Sequence, residues 1–247
     1  MTLRVEPVAC LRDNYAYLVH VEGDDAAWVV DPSEPAPVIA ALASRGFGVA
    51  GVLATHHHVD HVGGIAGLRE HFGDIEVCGH AHDRGRIPHQ SQFVDAPLHA
   101  FAPTALTACG RRLHAAHIPG HTLGAIAWYL EGEGDAAGHV FTGDTLFAAG
   151  CGRLFEGTPA QMLGSLRVLC ELPDATQMWF GHEYTAANLR FAAATEPDNA
   201  AIAERIAALP ACTTPTTVAL ERATNPFVRA ADADELGRRR AAKDSFR

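Results

Sequence analysis

No stretch restricts this chain more tightly than Thr55-His56-His57-His58-Val59-Asp60-His61-Val62-Gly63-Gly64. It follows an apolar run, Gly51-Val52-Leu53-Ala54, that has the length and character of a buried strand. It precedes Ile65 to Phe72, where Ile65, Leu68 and Phe72 share one helical face. The polar cluster is therefore expected in a strand-to-helix loop, where a rigid scaffold commonly presents binding groups. In an extended loop His56 and His58 point the same way and His57 points elsewhere. Asp60 and His61 come next, as the chain turns into the helix. His56, His58, Asp60 and His61 are four potential metal ligands in six residues, too many for one tetrahedral ion that keeps a position open for water. Two ions sharing the loop resolve the excess.

The remainder of the composition narrows the setting. A chain of 247 residues makes one large domain or two modest ones. Its 48% hydrophobic and 19% charged content belongs to a soluble globular protein. No apolar run reaches the ~18 residues of a membrane span, and the N-terminus lacks the apolar core of a signal peptide. The six cysteines, at 10, 78, 109, 151, 170 and 212, form no C-x-x-C pair and read as reduced thiols of a cytoplasmic protein. A net charge of −10 argues against nucleic acid as a partner.

Along the chain, Arg4–Val8, Ala16–Val21 and Ala27–Val30 read as strands, and Pro35–Leu42 as a helix opened by proline. After the helix at Ile65, Ile75–Cys78 reads as a strand. Residues 80–100 give no clear pattern; His80, His82, His89 and His99 have no carboxylate at matching spacing and are taken as surface or loop histidines. Arg112–Ile118, Ala125–Leu130, His139–Thr142 and Thr176–Phe180 read as strands, and Pro159–Leu169 as a helix with Met162, Leu166 and Leu169 on its inner face. Beyond Thr185 strand signals stop. Ala186–Ala194, Ala200–Leu209 and Asp232–Lys243 are helical, the second capped by Pro197-Asp198 and the third by Asp232 with Glu235 as return partner; Thr213–Thr217 is a loop. Two histidines near Pro119-Gly120 compete as further ligands: His117 lies within a strand, whereas His121 follows a turn that can aim a side chain into a cleft.

The H-x-H-x-D-H pattern resembles that of the metallo-β-lactamase superfamily. The likeness continues through Asp13-Asn14-Tyr15-Ala16-Tyr17-Leu18, Phe141-Thr142-Gly143-Asp144-Thr145-Leu146-Phe147, Gly150-Cys151-Gly152-Arg153, Gly181-His182-Glu183-Tyr184, Asn225-Pro226-Phe227 and Lys243-Asp244-Ser245-Phe246. Together these segments resemble the glyoxalase II, or hydroxyacylglutathione hydrolase, family. The resemblance implies an α/β (α+β) fold: an αββα sandwich over residues 1–182, with a smaller helical substrate-binding domain over 183–247. It places the third histidine ligand at His121 rather than His117. It gives the first metal His56, His58 and His121, the second Asp60, His61 and His182, and makes Asp144 a bridge between them. Asp60 and Asp144 are thereby the catalytic carboxylates. An aspartate after glycine more often caps a turn, so Asp144 takes this role only in the company of its flanking motif. Donors of imidazole and carboxylate suit zinc, with iron or manganese as alternatives.

What the resemblance implies for activity is hydrolysis of S-D-lactoylglutathione to D-lactate and glutathione, in methylglyoxal detoxification, by a hydroxide held between two divalent ions. The chain is expected to act as a monomer. Glutathione is anionic and the chain is acidic, so fixed local cations are required. Arg153, Arg240 and Lys243 match the family's basic positions, and Tyr184 matches a glutathione contact. Arg240 and Lys243 lie three apart and so share a helical face. Where the family often has tyrosine, two residues after the basic position, this chain has Phe155. Glu183 is read as a residue supporting the ligand before it or opening a helix, and His57 and His117 as structural. The alternatives are a glutathione persulfide dioxygenase with a single iron, another hydrolase of the same fold, and a non-enzymatic metal-binding protein. The complete set of seven ligands and the basic C-terminal motif favour the thioester hydrolase.

Overall fold

The computed structural model describes residues 2–246. The polypeptide begins with an antiparallel pair, β1 (Leu3–Cys10) and β2 (Asn14–Val21), followed by β3 (Ala26–Val30). Helix α1 (Pro35–Ala43) leads to β4 (Gly48–Leu53), parallel to β3. The short α2 (Val59–Val62) and α3 (Ile65–Phe72) come next, then β5 (Val77–His80) and β6 (Gln92–Val94). These strands form one six-stranded sheet in the order β1-β2-β3-β4-β5-β6. The second sheet takes β7 (Ala102–Ala108), β8 (Arg111–His117), β9 (Ile126–Leu130) and β10 (His139–Gly143). A two-residue hairpin of β11 (Leu146–Phe147) and β12 (Gly150–Cys151), helix α4 (Pro159–Leu169) and β13 (Gln177–Phe180) follow. Helices α5 (Thr185–Thr195) and α6 (Ala200–Ala207), strand β14 (Thr216–Thr217), and helices α7 (Val218–Thr224) and α8 (Ala233–Ser245) complete the chain. The second sheet has the order β14-β13-β10-β9-β8-β7.

Period-two alternation divides each inner strand between two cores. On β2, Tyr15, Tyr17, Val19 and Val21 face the other sheet, while Ala16 and Leu18 face α1 and α3. On β9, Ile126, Trp128 and Leu130 face inward, and Ala127 and Tyr129 meet the layer of α4 and α8. The result is the expected αββα layering. Trp128 is fully buried, and its indole N–H donates to the Ala54 carbonyl across the sandwich at 3.0 Å. Truncating so large a core side chain costs about 3–5 kcal/mol.

Sheet direction sets where the site lies. β8 and β10 each run antiparallel to β9, and β10 runs parallel to β13. The C-terminal ends of β8, β10 and β13 therefore lie on one edge. They deliver His121, Asp144 and His182 there, opposite the loop leaving β4. The C-terminal helices are fastened to this edge through the β11–β12 hairpin. Asn225 Nδ2 donates to the Phe147 and Gly150 carbonyls, the buried Glu221 accepts from Ala149 N–H at 2.8 Å, and Asn188 donates to the Ala148 carbonyl.

Several local expectations change. The strand placed at Ile75–Cys78 sits two residues later. Strand β6 falls in the region without a clear pattern, β7 and α7 occupy stretches with no assignment, and Thr216–Thr217 pairs as a strand rather than remaining loop. The α6 cap is Asn199, whose side chain accepts from Ala201 N–H, not Pro197-Asp198. Asp232 caps α8 as expected, but Glu235 returns to Ala231 N–H. His80 is buried in β5 and stacked on His117 at 4.2 Å, not a surface residue, whereas His82 and His89 are exposed. Among the described residues no helix is long and apolar enough to cross a membrane, and all six cysteines are free thiols.

Candidate metal centre

The loop after β4 carries His56 and His58 to one side, as alternation requires, and sends His57 to the other. His56 Nε2 lies 3.1 Å from His58 Nδ1, which lies 3.0 Å from His121 Nε2. Four ligands of a tetrahedral ion with bonds of about 2.0–2.1 Å would stand about 3.3 Å apart, so this triangle is close to the size a cation needs. A second group, Asp60, His61 and His182, lies beside it. Asp144 spans the two: Oδ1 is 3.2 Å from His61 Nε2, and Oδ2 is 3.4 Å from both His121 and His182 Nε2. His117, the competitor of His121, instead turns its Nε2 to the Leu123 carbonyl at 2.7 Å.

The second nitrogens of four of these imidazoles are already engaged, which fixes which nitrogen faces the cluster. Asp31 accepts from His61 Nδ1 at 2.9 Å, Asp13 accepts from His182 Nδ1 at 2.9 Å, and the Arg153 carbonyl accepts from His121 Nδ1 at 2.9 Å. Thr55 Oγ1 lies 3.1 Å from His56 Nδ1 and itself donates to Asp31 at 2.6 Å. Asp31 adopts a φ of 46°, a left-handed conformation that aspartate tolerates, and accepts from Thr55 N–H as well. Although Asp31 stands close enough to His56 and His61 to be counted with them, its oxygens are committed to these three donors, so it orients ligands. Asn14 Nδ2 donates to Asp60 Oδ2 at 3.2 Å and sits 3.4 Å from His182 Nε2.

These orienting residues were not singled out by the sequence reading. Asp31 follows a strand and precedes a proline, and Asp13 and Asn14 lie in a segment that carries the family likeness. The signal that finds them is a rule: a ligating histidine usually donates its other N–H to a carboxylate or carbonyl. Asp13 and Asp31 lie at strand ends on the same edge as the ligands.

Electrostatics support a cationic occupant. Burial lowers His56 far below the ordinary imidazole range, lowers His58 to about 4 and depresses His121. That group is neutral, as ligands must be. In the other group, burial opposes charge, yet Asp144 and Asp31 outweigh it and hold His61 well above the ordinary range. His182 is likewise raised to about 10 against burial, by Asp144 and Asp60. Burial would raise Asp144, but His61 and His182 hold it well below the usual carboxylate range, and His182 lowers Asp60. The buried carboxylates thus demand positive charge in this small space, and a divalent ion can supply it in place of imidazole protons. Two further observations fit. The buried His61 Nε2 and Asp144 Oδ1 have no hydrogen-bond partner. A Cβ at Gly181 would come within 2.3 Å of Asp144 Oδ1, so glycine is needed for that carboxylate to reach the cluster.

Above the cluster opens a cleft of about 570 Å³, walled by Phe147, Tyr184 and Asn188 and by Arg153, Arg240 and Lys243. The four sequence-expected binding residues are therefore brought to one mouth, in different states. Arg240 is buried; its guanidinium donates to the Cys151 carbonyl at 2.7 Å and to Asp244 at 3.0 Å, which ties α8 to the hairpin. Arg153 is open, with 66% of its side chain exposed and Asp244 at 3.7 Å. Lys243 Nζ donates to the Ala187 carbonyl at 3.4 Å, and burial together with Arg240 lowers its pKa. Tyr184 stacks on the His182 ring at 4.8 Å, and burial pushes its phenol up to about 12. Phe155 is 62% exposed and sets its ring edge-on to His58 and His121, at 5.7 and 5.2 Å. Glu183 points away from the cluster and accepts from Tyr15, Thr213 and Thr185.

A family model of the metallo-beta-lactamase superfamily matches residues 11–182, and one of the hydroxyacylglutathione hydrolase C-terminus matches residues 183–246. A hydroxyacylglutathione hydrolase of Thermosynechococcus vestitus is 47% identical, the match covering 89% of this chain and 85% of that protein. One from Cupriavidus taiwanensis is 44% identical, covering 99% and 100%. Among solved structures, ETHE1 from Myxococcus xanthus shares the fold with a TM-score of 0.70 at 24% identity, covering 99% of this chain and 91% of that one. A protein solved in a di-iron-bound form has a TM-score of 0.62 at 27% identity, covering 90% and 100%. This chain belongs to the metallo-β-lactamase superfamily and, within it, to the hydroxyacylglutathione hydrolases.

Proposed function

We propose that this protein hydrolyses 2-hydroxyacylglutathione thioesters, S-D-lactoylglutathione above all, to the hydroxy acid and glutathione. The observation that carries the reading is the sharing of Asp144 between two ligand groups at the foot of a cleft whose mouth holds Arg153, Arg240 and Lys243. The names and coverage of the relatives support it. In this reading His56, His58 and His121 would hold one divalent ion and Asp60, His61 and His182 the other, with Asp144 within reach of both groups. Zinc suits these donors, with iron or manganese as alternatives. Such ions, when bound, lower the pKa of water and polarise a carbonyl.

The chain's own residues do the rest. Asp13, Asp31, Thr55 and the Arg153 carbonyl hold the imidazoles in one orientation, so little reorganisation is needed during the reaction. Asp144 and Asp60, held ionised by the imidazoles beside them, are the carboxylate donors that would hold the cations in place. Arg153, Arg240, Lys243 and Tyr184 hold the glutathione moiety, and the helical region from residue 183 onward acts as the substrate-binding unit. A thiolate whose parent thiol has a pKa of about 8.5 departs without a strong general acid, and the reading assigns none. The single-iron dioxygenase alternative needs only one facial triad and leaves the second ligand group without a purpose. The protein is taken to act as a monomer. Loss of thioester absorbance, followed with metal content measured on the same sample, tests the proposal; turnover that survives complete metal removal would overturn it.

A further inference from the structure

We propose that His57, Asp83, Arg86 and Glu156 form a positioning lock for the all-histidine ligand group. Breaking it would weaken cation binding at His56, His58 and His121 while sparing the second group. The inference rests on the two-ion reading above and adds to it residues that touch neither substrate nor ion.

The lock lies on the far side of the metal loop from the cleft. His57, between two ligands, sets its Nδ1 3.2 Å from Asp83 Oδ1 and turns its Nε2 to the Arg86 guanidinium. Asp83, in the turn after β5, is fully buried; it meets His57 as a close polar contact, since neither its oxygens nor His57 Nδ1 make an aligned hydrogen bond. Its carboxylate is pressed against the backbone three residues beyond His121: a Cβ at Gly124 would come within 2.2 Å of Oδ1. Burial raises the Asp83 carboxyl, and the Arg86 guanidinium beside it works against that shift. Arg86 is the joint. It stands 3.7 Å from Asp83 and pairs with Glu156 at 2.5 Å.

Glu156 carries the connection onward. Its Oε2 accepts from Leu123 N–H at 2.8 Å. The backbone N–H groups of Phe155 and Glu156 donate to the His121 carbonyl at 3.2 and 3.3 Å, and the Arg153 carbonyl in the same segment accepts from the His121 ring. Four stretches distant in sequence are thereby clamped together: the loop presenting His58, the turn at Asp83–Arg86, and the two segments that fix His121. The second group has its own supports: Asn14 bonds Asp60, Asp31 bonds His61 and Asp13 bonds His182. His56 leans on Asp31 through Thr55, so it alone is shared. The expected consequence is a weakened first site rather than an abolished one.

The test uses the full chain, stripped of metal and titrated with zinc against a chromophoric chelator. Wild type should take up two ions. Glu156→Gln and Arg86→Met should each keep one ion at wild-type affinity and bind the other about 10- to 100-fold more weakly, the usual cost of removing an outer support of a metal ligand. Arg86→Lys, which keeps the charge, should recover most of that loss. Melting of metal-free Glu156→Gln should match metal-free wild type, metal-free Arg86→Met should melt lower because Asp83 loses its cation, and in both the zinc-induced rise in Tm should shrink. Unchanged affinity for both ions in Glu156→Gln and Arg86→Met would overturn the lock. So would an equal fall in Tm with and without zinc, since that marks a purely structural role. A wild-type chain that binds only one ion would instead sink the two-ion reading itself.

Discussion

The foot of the cleft and its mouth are built on opposite principles. At the foot, His56, His61, His121, Asp144 and His182 are all buried, and each imidazole has its second nitrogen engaged. At the mouth, Arg153 and Phe155 are mostly exposed, and Asp244 already faces two of the cations. A buried, over-determined arrangement costs folding energy to hold charge in place and repays it by preorganisation. An exposed arrangement gains little from each contact because water and salt compete. Changes at the foot should therefore act on metal content and kcat, and changes at the mouth on KM.

The largest effect is expected at the shared carboxylate. Asp144→Ala should lose metal and reduce kcat by about a thousandfold, equivalent to ~4 kcal/mol, within the several kcal/mol an ion supplies to such a transition state. Metal analysis beside steady-state kinetics checks this; near-normal kcat would show that Asp144 is only a turn residue. Next come the orienting residues. Asp13→Ala should weaken metal binding about 10- to 100-fold through His182, read by chelator competition. His117→Ala, by contrast, should retain metal, whereas His121→Ala should not.

The mouth gives smaller numbers. Lys243→Ala should raise KM about 10- to 100-fold with kcat nearly unchanged, from the ~1.5–3 kcal/mol of a hydrogen bond to a charged group. A thioester lacking the glutathione carboxylates should barely distinguish the two proteins. If kcat fell instead, the separation of foot from mouth would be wrong. The smallest change is Phe155→Tyr. The ring already points into the cleft beside His58 and His121, so restoring the hydroxyl should lower KM by about two- to tenfold, the range for one neutral hydrogen bond. No gain would mean that the hydroxyl finds no partner in the bound substrate.

The same contrast explains what the sequence made legible. The metal loop is local: His56 to His61 lie within one loop, and the alternation that separates His57 from its neighbours is a property of the backbone alone. Strands such as β2 and β9 announce themselves because two faces meet two apolar cores. By contrast, β7 reads Ala-Pro-Thr-Ala-Leu-Thr-Ala, too small and interrupted to signal an edge strand, and it forms only because β8 pairs with it. The burial of His80 depends on His117, 37 positions away in the numbering, and could not be read from spacing. Asp13 and Asp31 reveal their roles only once the sheets bring strand ends together. The mouth was legible only through family likeness, since a basic stretch such as Arg238-Arg239-Arg240 is ordinarily a solvated face. In the structure Arg239 is indeed occupied by Glu196 and Glu235, while Arg240 turns inward.

The central claim is that one buried cluster, filled by two ions, hydrolyses a glutathione thioester. It is tested most directly by titrating metal into stripped protein while following S-D-lactoylglutathione by its thioester absorbance. The account predicts that turnover is absent without metal and reaches its full rate as the second ion per chain binds. Full turnover in the metal-free protein, or none in protein loaded with two ions, would contradict it.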